Sequence, residues 1–172
     1  LALRLTFWYG AIVILVSGVA FWLFYLMVTG LLEERSDLEL LSEAGTFESI
    51  LKAKGLDGVK RVMVLEAQAA GERKVFFRLL SLGGEAFSSS NMSYWEDIGV
   101  ARSAIRELIE GQPHVFDTLL SHDRQHRVRV LYRMIGPGVI VQLGQAMEHA
   151  GRFIEAFRRI FVGTMTALGA SA

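Results

Sequence analysis

The chain has 172 residues, 52% of them apolar, with 18 basic and 18 acidic residues balancing to a formal charge of zero. That is material for one compact domain plus membrane segments and hardly for two enzymatic domains, and a balanced charge offers no basic face for nucleic acid. With no cysteine there is no disulfide, thiolate metal site or cysteine nucleophile, and two prolines argue against a Pro-rich linker.

The first element is LTFWYGAIVILVSGVAFWLFYLMVTGLL, a run from Leu5 to Leu32 without a charged residue. A helix of this length spans about 40 Å at 1.5 Å per residue, more than the roughly 30 Å of bilayer hydrocarbon. Phe7, Trp8 and Tyr9 lie near one end and Trp22, Phe24 and Tyr25 towards the other, as interfacial aromatic belts require. Gly18-Val19-Ala20 resembles a signal-peptide cleavage site, but the apolar sequence continues well beyond Ala20. Residues 1–32 therefore read as an uncleaved transmembrane helix. Arg4 before the span, with Glu33, Glu34, Arg35, Asp37 and Glu39 after it, leans towards an N-terminus inside, while Arg158-Arg159 pulls the other way.

Residues 33–158 have ordinary globular composition. Leu38 and Leu41, then Phe47, Ile50 and Leu51, then Val59, Val62 and Leu65 recur at helical spacing. This predicts a helix continuing out of the membrane, a break near Lys54-Gly55, and a second helix from Asp57, a plausible N-cap, to Gly71. In KVFFRLLSLGGEAFSSS two β-prone runs flank Gly83-Gly84, a hairpin signal. SYWEDIGVARSAIRELIEGQ reads as helical, with Ile98, Ala101, Ile105, Leu108 and Ile109 on one side, and VFDTLL as a third strand.

HRVRVLYRMIGPGVIVQLGQ carries the strongest strand pattern. Val128, Val130, Tyr132 and Met134 fall on one face, and Arg127, Arg129, Leu131 and Arg133 on the other. Gly136-Pro137-Gly138 makes the turn, and Val139, Val141 and Leu143 return. Met147, Ala150, Ile154, Phe157 and Phe161 then resume helical spacing, and residues 159–172 read as the start of a second transmembrane helix. The expected fold class is α+β: five strands in one antiparallel sheet, a helix inserted after the second, helices covering one face.

The start LALRLTFWYGAIVILVSGVAFWLFYL, the middle FFRLLSLGGEAFSSS and the ending GVIVQLGQAMEHAGRFIEAFRRIFVG resemble the N-terminal sensor half of bacterial membrane-bound sensor histidine kinases, the broad group that includes heavy-metal sensors. The resemblance covers essentially the whole chain and rests on arrangement, not on a diagnostic motif. It implies a periplasmic PAS-like domain on the inner membrane, a homodimer, and a downstream HAMP linker, phosphoacceptor-His helix and ATP-binding domain. ATP and Mg would then serve the parent kinase, whose partner is a cytoplasmic response regulator. No phosphoacceptor or nucleotide-binding residue carries over to this sequence, so it is expected to be catalytically silent and to hold no cofactor itself.

Two candidate sites follow from residue chemistry. His122 and His126 around Asp123, with His114 nearby, offer imidazole and carboxylate ligands to a metal, although Arg124 and Arg127 among them disfavour a cation and a solvated loop explains them as well. Arg127, Arg129 and Arg133 on one strand face suit an anion such as a carboxylate or phosphate, or else an exposed polar sheet face. Tyr94-Trp95 is a candidate for a ligand pocket, or else for core packing or a strand-to-helix staple. Ser49-Ile-Leu-Lys52 matches SxxK without its partner motifs, and no Glu completes a zinc-protease motif between His122 and His126. The reading is a signal-input module of a sensor histidine kinase. The alternatives are the sensor half of a chemoreceptor or cyclic-dinucleotide enzyme, and a membrane-anchored structural protein of the envelope.

Overall fold

The computed structural model describes residues 2–120 and 127–147, together with 159 and 163. The expected helix after Met147 and the expected second membrane span lie almost wholly outside the described residues.

Helix α1 is Ala2–Ala70, a stretch without proline, and its one interruption is Gly55, at φ 69° and ψ −170°. An L side chain disfavours that conformation by about 1–2 kcal/mol, so the glycine sets where the helix divides. Asp57 is not the cap expected of it. It lies inside the helix, where its carboxylate approaches Lys60 at 4.0 Å. Between Trp8 and Leu31 most of the apolar side chains described are exposed, Trp8, Leu15, Trp22 and Met27 among them, while Phe21 and Val28 are half-buried. By length and composition this stretch can cross a membrane.

The domain Arg35–Met147 is built on a five-stranded sheet. Its strands are β1 (Val75–Leu80), β2 (Ala86–Ser89), β3 (Val115–Leu120), β4 (Arg127–Gly136) and β5 (Val139–Ala146), with α2 (Arg102–Ile109) inserted after β2. The spatial order is β2-β1-β5-β4-β3, every pair antiparallel. This is the α+β, PAS-like sheet with flanking helices that the sequence led us to expect. Gly136 pairs with Val139, leaving Pro137 and Gly138 as the turn, and Gly138 has the positive φ of 72° that the second central residue of a type II turn needs.

Helices cover both faces of the sheet, not one. On the first, Leu40, Ala44 and Phe47 from one arm of α1 and Val59, Met63 and Ala67 from the other bury against Phe77, Leu79, Leu131, Ile135, Val141 and Leu143. Each helical set repeats at three or four residues, one stripe per arm. On the second face Trp95, Ile98 and three residues of α2, Ala104, Ile105 and Leu108, cover Phe76, Leu80, Val128, Val130, Tyr132 and Ile140. Leu131, read on the polar face, is therefore core. Met134, read on the buried face, is exposed, next to the register shift between Met134 and Gly136.

The helix expected over residues 93–112 forms only at Arg102–Ile109, and Ile109 is exposed at its end. The physical reason is competition for backbone groups. Arg78 donates to the Ile98 carbonyl at 3.2 Å, Gln142 Nε2 donates to the Gly99 carbonyl at 3.1 Å, and the Ala101 N–H donates to the Tyr132 hydroxyl at 3.1 Å. Groups that a helix would pair internally are paired with the sheet instead.

Gly144 on β5 lies where a Cβ would run into the ring of Phe76, itself fully buried. Replacing it by alanine forces that ring off its position. We expect Gly144→Ala to destabilise the chain by about 1–3 kcal/mol, the usual cost of overpacking, read as a lowered thermal midpoint by near-ultraviolet circular dichroism in detergent. An unchanged midpoint would show that the ring relaxes freely.

Candidate functional site

On the α1 face, two ion pairs among the described residues join the sheet to the helix. Arg129 on β4 meets Asp37 side by side, Nε to Oδ1 at 2.7 Å and Nη2 to Oδ2 at 2.8 Å, and its third nitrogen donates to Thr118 Oγ1 at 2.7 Å. The guanidinium also lies 4.9 Å from the centre of the Phe116 ring. Four residues along, Arg133 Nη2 donates to Glu48 Oε2 at 2.8 Å, and Glu48 also accepts from Lys52 at 2.7 Å. Lys52, first, and then Arg133 hold the Glu48 carboxyl below its ordinary value. Between the two pairs Leu131 is buried against the helix.

The three arginines proposed as an anion site are thus spread along one strand. Arg129 and Arg133 are separated by four residues, about 13 Å at the rise of a β-strand, and each already faces a carboxylate. Arg127 is exposed at the first position of β4. The face they occupy is covered by α1 instead of being an exposed polar one. Of the candidate metal ligands, His122 and His126 lie outside the described residues, and His114 packs edge-on against Phe116 at 5.3 Å. No group of three or more histidine or carboxylate side chains among the described residues is placed to hold a metal ion.

Tyr94 and Trp95 part company. Trp95 is core: its ring packs on Phe76 at 5.1 Å and its indole N–H donates to the Glu72 carbonyl at 2.7 Å. Tyr94 is exposed, with the Arg73 guanidinium 4.6 Å from its ring centre. Trp95 is thus packed in the core while its neighbour Tyr94 lies at the surface.

Sequence reasoning missed two polar sites. The first is a cavity of about 240 Å³ where α1 meets the Val75 and Gln145 ends of β1 and β5, lined by Glu39, Leu40, Glu43, Glu66, Ala70, Lys74, Val75, Phe77 and Gln145. The second is the buried cluster under residues 91–101, where Arg78 donates to Gln142 Oε1 at 3.1 Å and Gln142 Nε2 donates to the Tyr132 hydroxyl at 2.9 Å. Burial pushes the Arg78 guanidinium down and the Tyr132 hydroxyl up from their ordinary values. Period-two spacing puts Arg78 on the buried face of β1 with Phe76 and Leu80, and that was the available signal.

No protein-family model and no curated protein matches the chain. Solved structures similar to it include the crystal structure of the CusS sensor domain with silver bound, 18% identical, covering 71% of this chain and 95% of that one with a TM-score of 0.45. Another is the extracellular domain of rpHK1S-Z16, assigned as a histidine kinase, 10% identical, covering 52% of this chain and 38% of that one with a TM-score of 0.34.

The Arg129 and Asp37 side chains are mostly shielded, at 18% and 24% exposure, so their pairing is measurable. We expect Arg129→Ala and Asp37→Ala each to lower stability by about 1–3 kcal/mol. The double variant should lose less than the sum, with a coupling of about 1–2 kcal/mol. Strict additivity in chemical denaturation would show that the pair contributes nothing beyond its separate contacts.

Proposed function

We propose that the chain is the signal-input module of a transmembrane sensor, with the domain Arg35–Met147 on the extracytoplasmic side of the bacterial inner membrane. The output partner is a histidine kinase that uses ATP and Mg, works as a homodimer through a HAMP linker, and passes its phosphoryl group to a response regulator. One observation carries this reading. α1 holds an apolar stretch able to cross a membrane and, further along the same helix, the two carboxylates through which the sheet grips it.

A stimulus that alters the sheet has a mechanical route to that helix. Asp37 and Glu48 are eleven residues apart, about three turns, so they sit on one side of α1. Two ion pairs on one side, with Leu131 packed between them, fix the helix both along its axis and about it. Moving β4 by a fraction of an ångström either breaks the pairs or carries the helix with it, and packed elements respond in small discrete shifts. A helix that shifts by 1–2 Å is the kind of displacement a downstream kinase can read.

The test is a chimera in which residues 1–172 replace the input half of a transmembrane histidine kinase, with a response-regulator reporter as the readout. Arg129→Ala should move basal output by roughly fivefold, the size of a coupling of about 1 kcal/mol. Exchanging the charges, Asp37→Arg with Arg129→Asp, should return it towards wild type. An output that ignores both changes, and equals that of a chimera lacking residues 35–147, would sink the input-module reading.

A further inference from the structure

The cavity on the α1 face brings together groups that ought to repel. Glu39 and Glu43 stand one turn apart on the first arm of α1, Glu66 comes from the second arm, and one lysine, Lys74, enters from the turn before β1. Burial first, then the charges of Glu66 and Glu39, push the Glu43 carboxyl above its ordinary value. A separate observation comes from β5. Gln145 Oε1 is buried and has no hydrogen-bond donor among the described residues. Its amide nitrogen donates to Glu39 Oε2 at 3.4 Å, so turning the amide over would aim the oxygen at a carboxylate and leave it equally unpaired. An ionised carboxylate has no proton to offer that oxygen, whereas a carboxylic acid is a donor.

We propose that this cavity is a proton-responsive switch: at acid pH Glu43 takes up one proton, becomes a donor for the buried amide oxygen of Gln145, and stops repelling Glu39 and Glu66. One proton then satisfies an orphaned acceptor on β5 and removes a repulsion between the two arms of α1. Both changes tighten α1 on the sheet. The other charges around the cavity are accounted for. Lys74 is the cation in the turn before β1, and Arg129, the cross-strand neighbour of Gln145 on β4, is engaged by Asp37. As a proton site the cavity stands by itself. As the stimulus for an output domain it rests on the input-module reading.

A carboxyl with a raised pKa in the folded state binds its proton more tightly there than in the unfolded chain. Its contribution to stability is therefore fully present below the ordinary glutamate value of 4.5 and is lost as pH rises through the raised value.

The experiment uses the full chain in detergent micelles with carboxyl-labelled glutamate, followed by carbon NMR from about pH 3 to pH 8 alongside the thermal midpoint. The signal that Glu43→Gln removes should titrate above the other glutamates. That variant should also flatten the midpoint's dependence on pH above the ordinary value, because its amide N–H donates at every pH. Glu66→Gln should move the Glu43 titration down towards the ordinary value, a shift that a purely structural role for Glu66 would not produce. A Glu43 signal titrating with the other glutamates, or a Glu66→Gln variant that leaves it in place, overturns the proposal. Either failure leaves the chimera result untouched, and a silent chimera leaves this titration untouched.

Discussion

Burial of the central strands on both faces is the constraint from which the rest of the domain follows. From Val130 to Tyr132 every residue of β4 is buried, and on β5 the same holds from Ile140 to Gly144. A strand with no solvent face needs a cover on each side. α1 supplies one with two stripes that meet at Gly55. α2 is only eight residues long, too short to cover the other alone, and the segment before it completes the layer with Trp95 and Ile98.

That second cover explains the polar groups beneath it. Irregular backbone laid over a sheet brings carbonyls and N–H groups into a place with little water, and each needs a partner. Arg78, Gln142 and Tyr132 project from three different strands and meet this demand at Ile98, Gly99 and Ala101. They act as the hydrogen-bonding surface that a longer helix would have provided internally. Leaving any one of these partners unpaired costs more than the bond itself contributes, which ties the 91–101 segment to one conformation.

Much of the fold was legible in the sequence. The break at Gly55, the Gly83-Gly84 hairpin, β3, β4, β5 and their turn all follow from period-two or period-three-to-four spacing and from glycine. What misled was the assumption that an antiparallel sheet has a wet side. The alternation in RVRVLYRM made the arginine face look like solvent surface, and nothing local reveals that a helix some 90 residues earlier in the chain brings Asp37 and Glu48 to it. The expected helix over residues 93–112 failed for the same reason, since its competitor was a set of side chains on other strands. The acidic cavity was out of reach because the approach of Glu43 to Glu66 depends on how the two arms of α1 pack, and helical spacing within one arm does not record that.

The division of labour on the α1 face bears on how such a domain can respond at all. Its centre, around Phe47, Leu131 and Leu143, is dry and close-packed, and the edge-on contact of Phe47 with Phe77 at 5.2 Å leaves little room for sliding. Charged groups sit at its margins: Asp37 with Arg129, Glu48 with Arg133, and the carboxylates of the cavity. A change in charge at a margin alters the forces on α1 without opening the apolar centre, so the helix can be biased while the fold stays intact. A stimulus acting on the centre would have to unpack it, at several kcal/mol for each large side chain displaced. A perturbation that shifts α1 without unpacking the domain therefore acts at the polar margins.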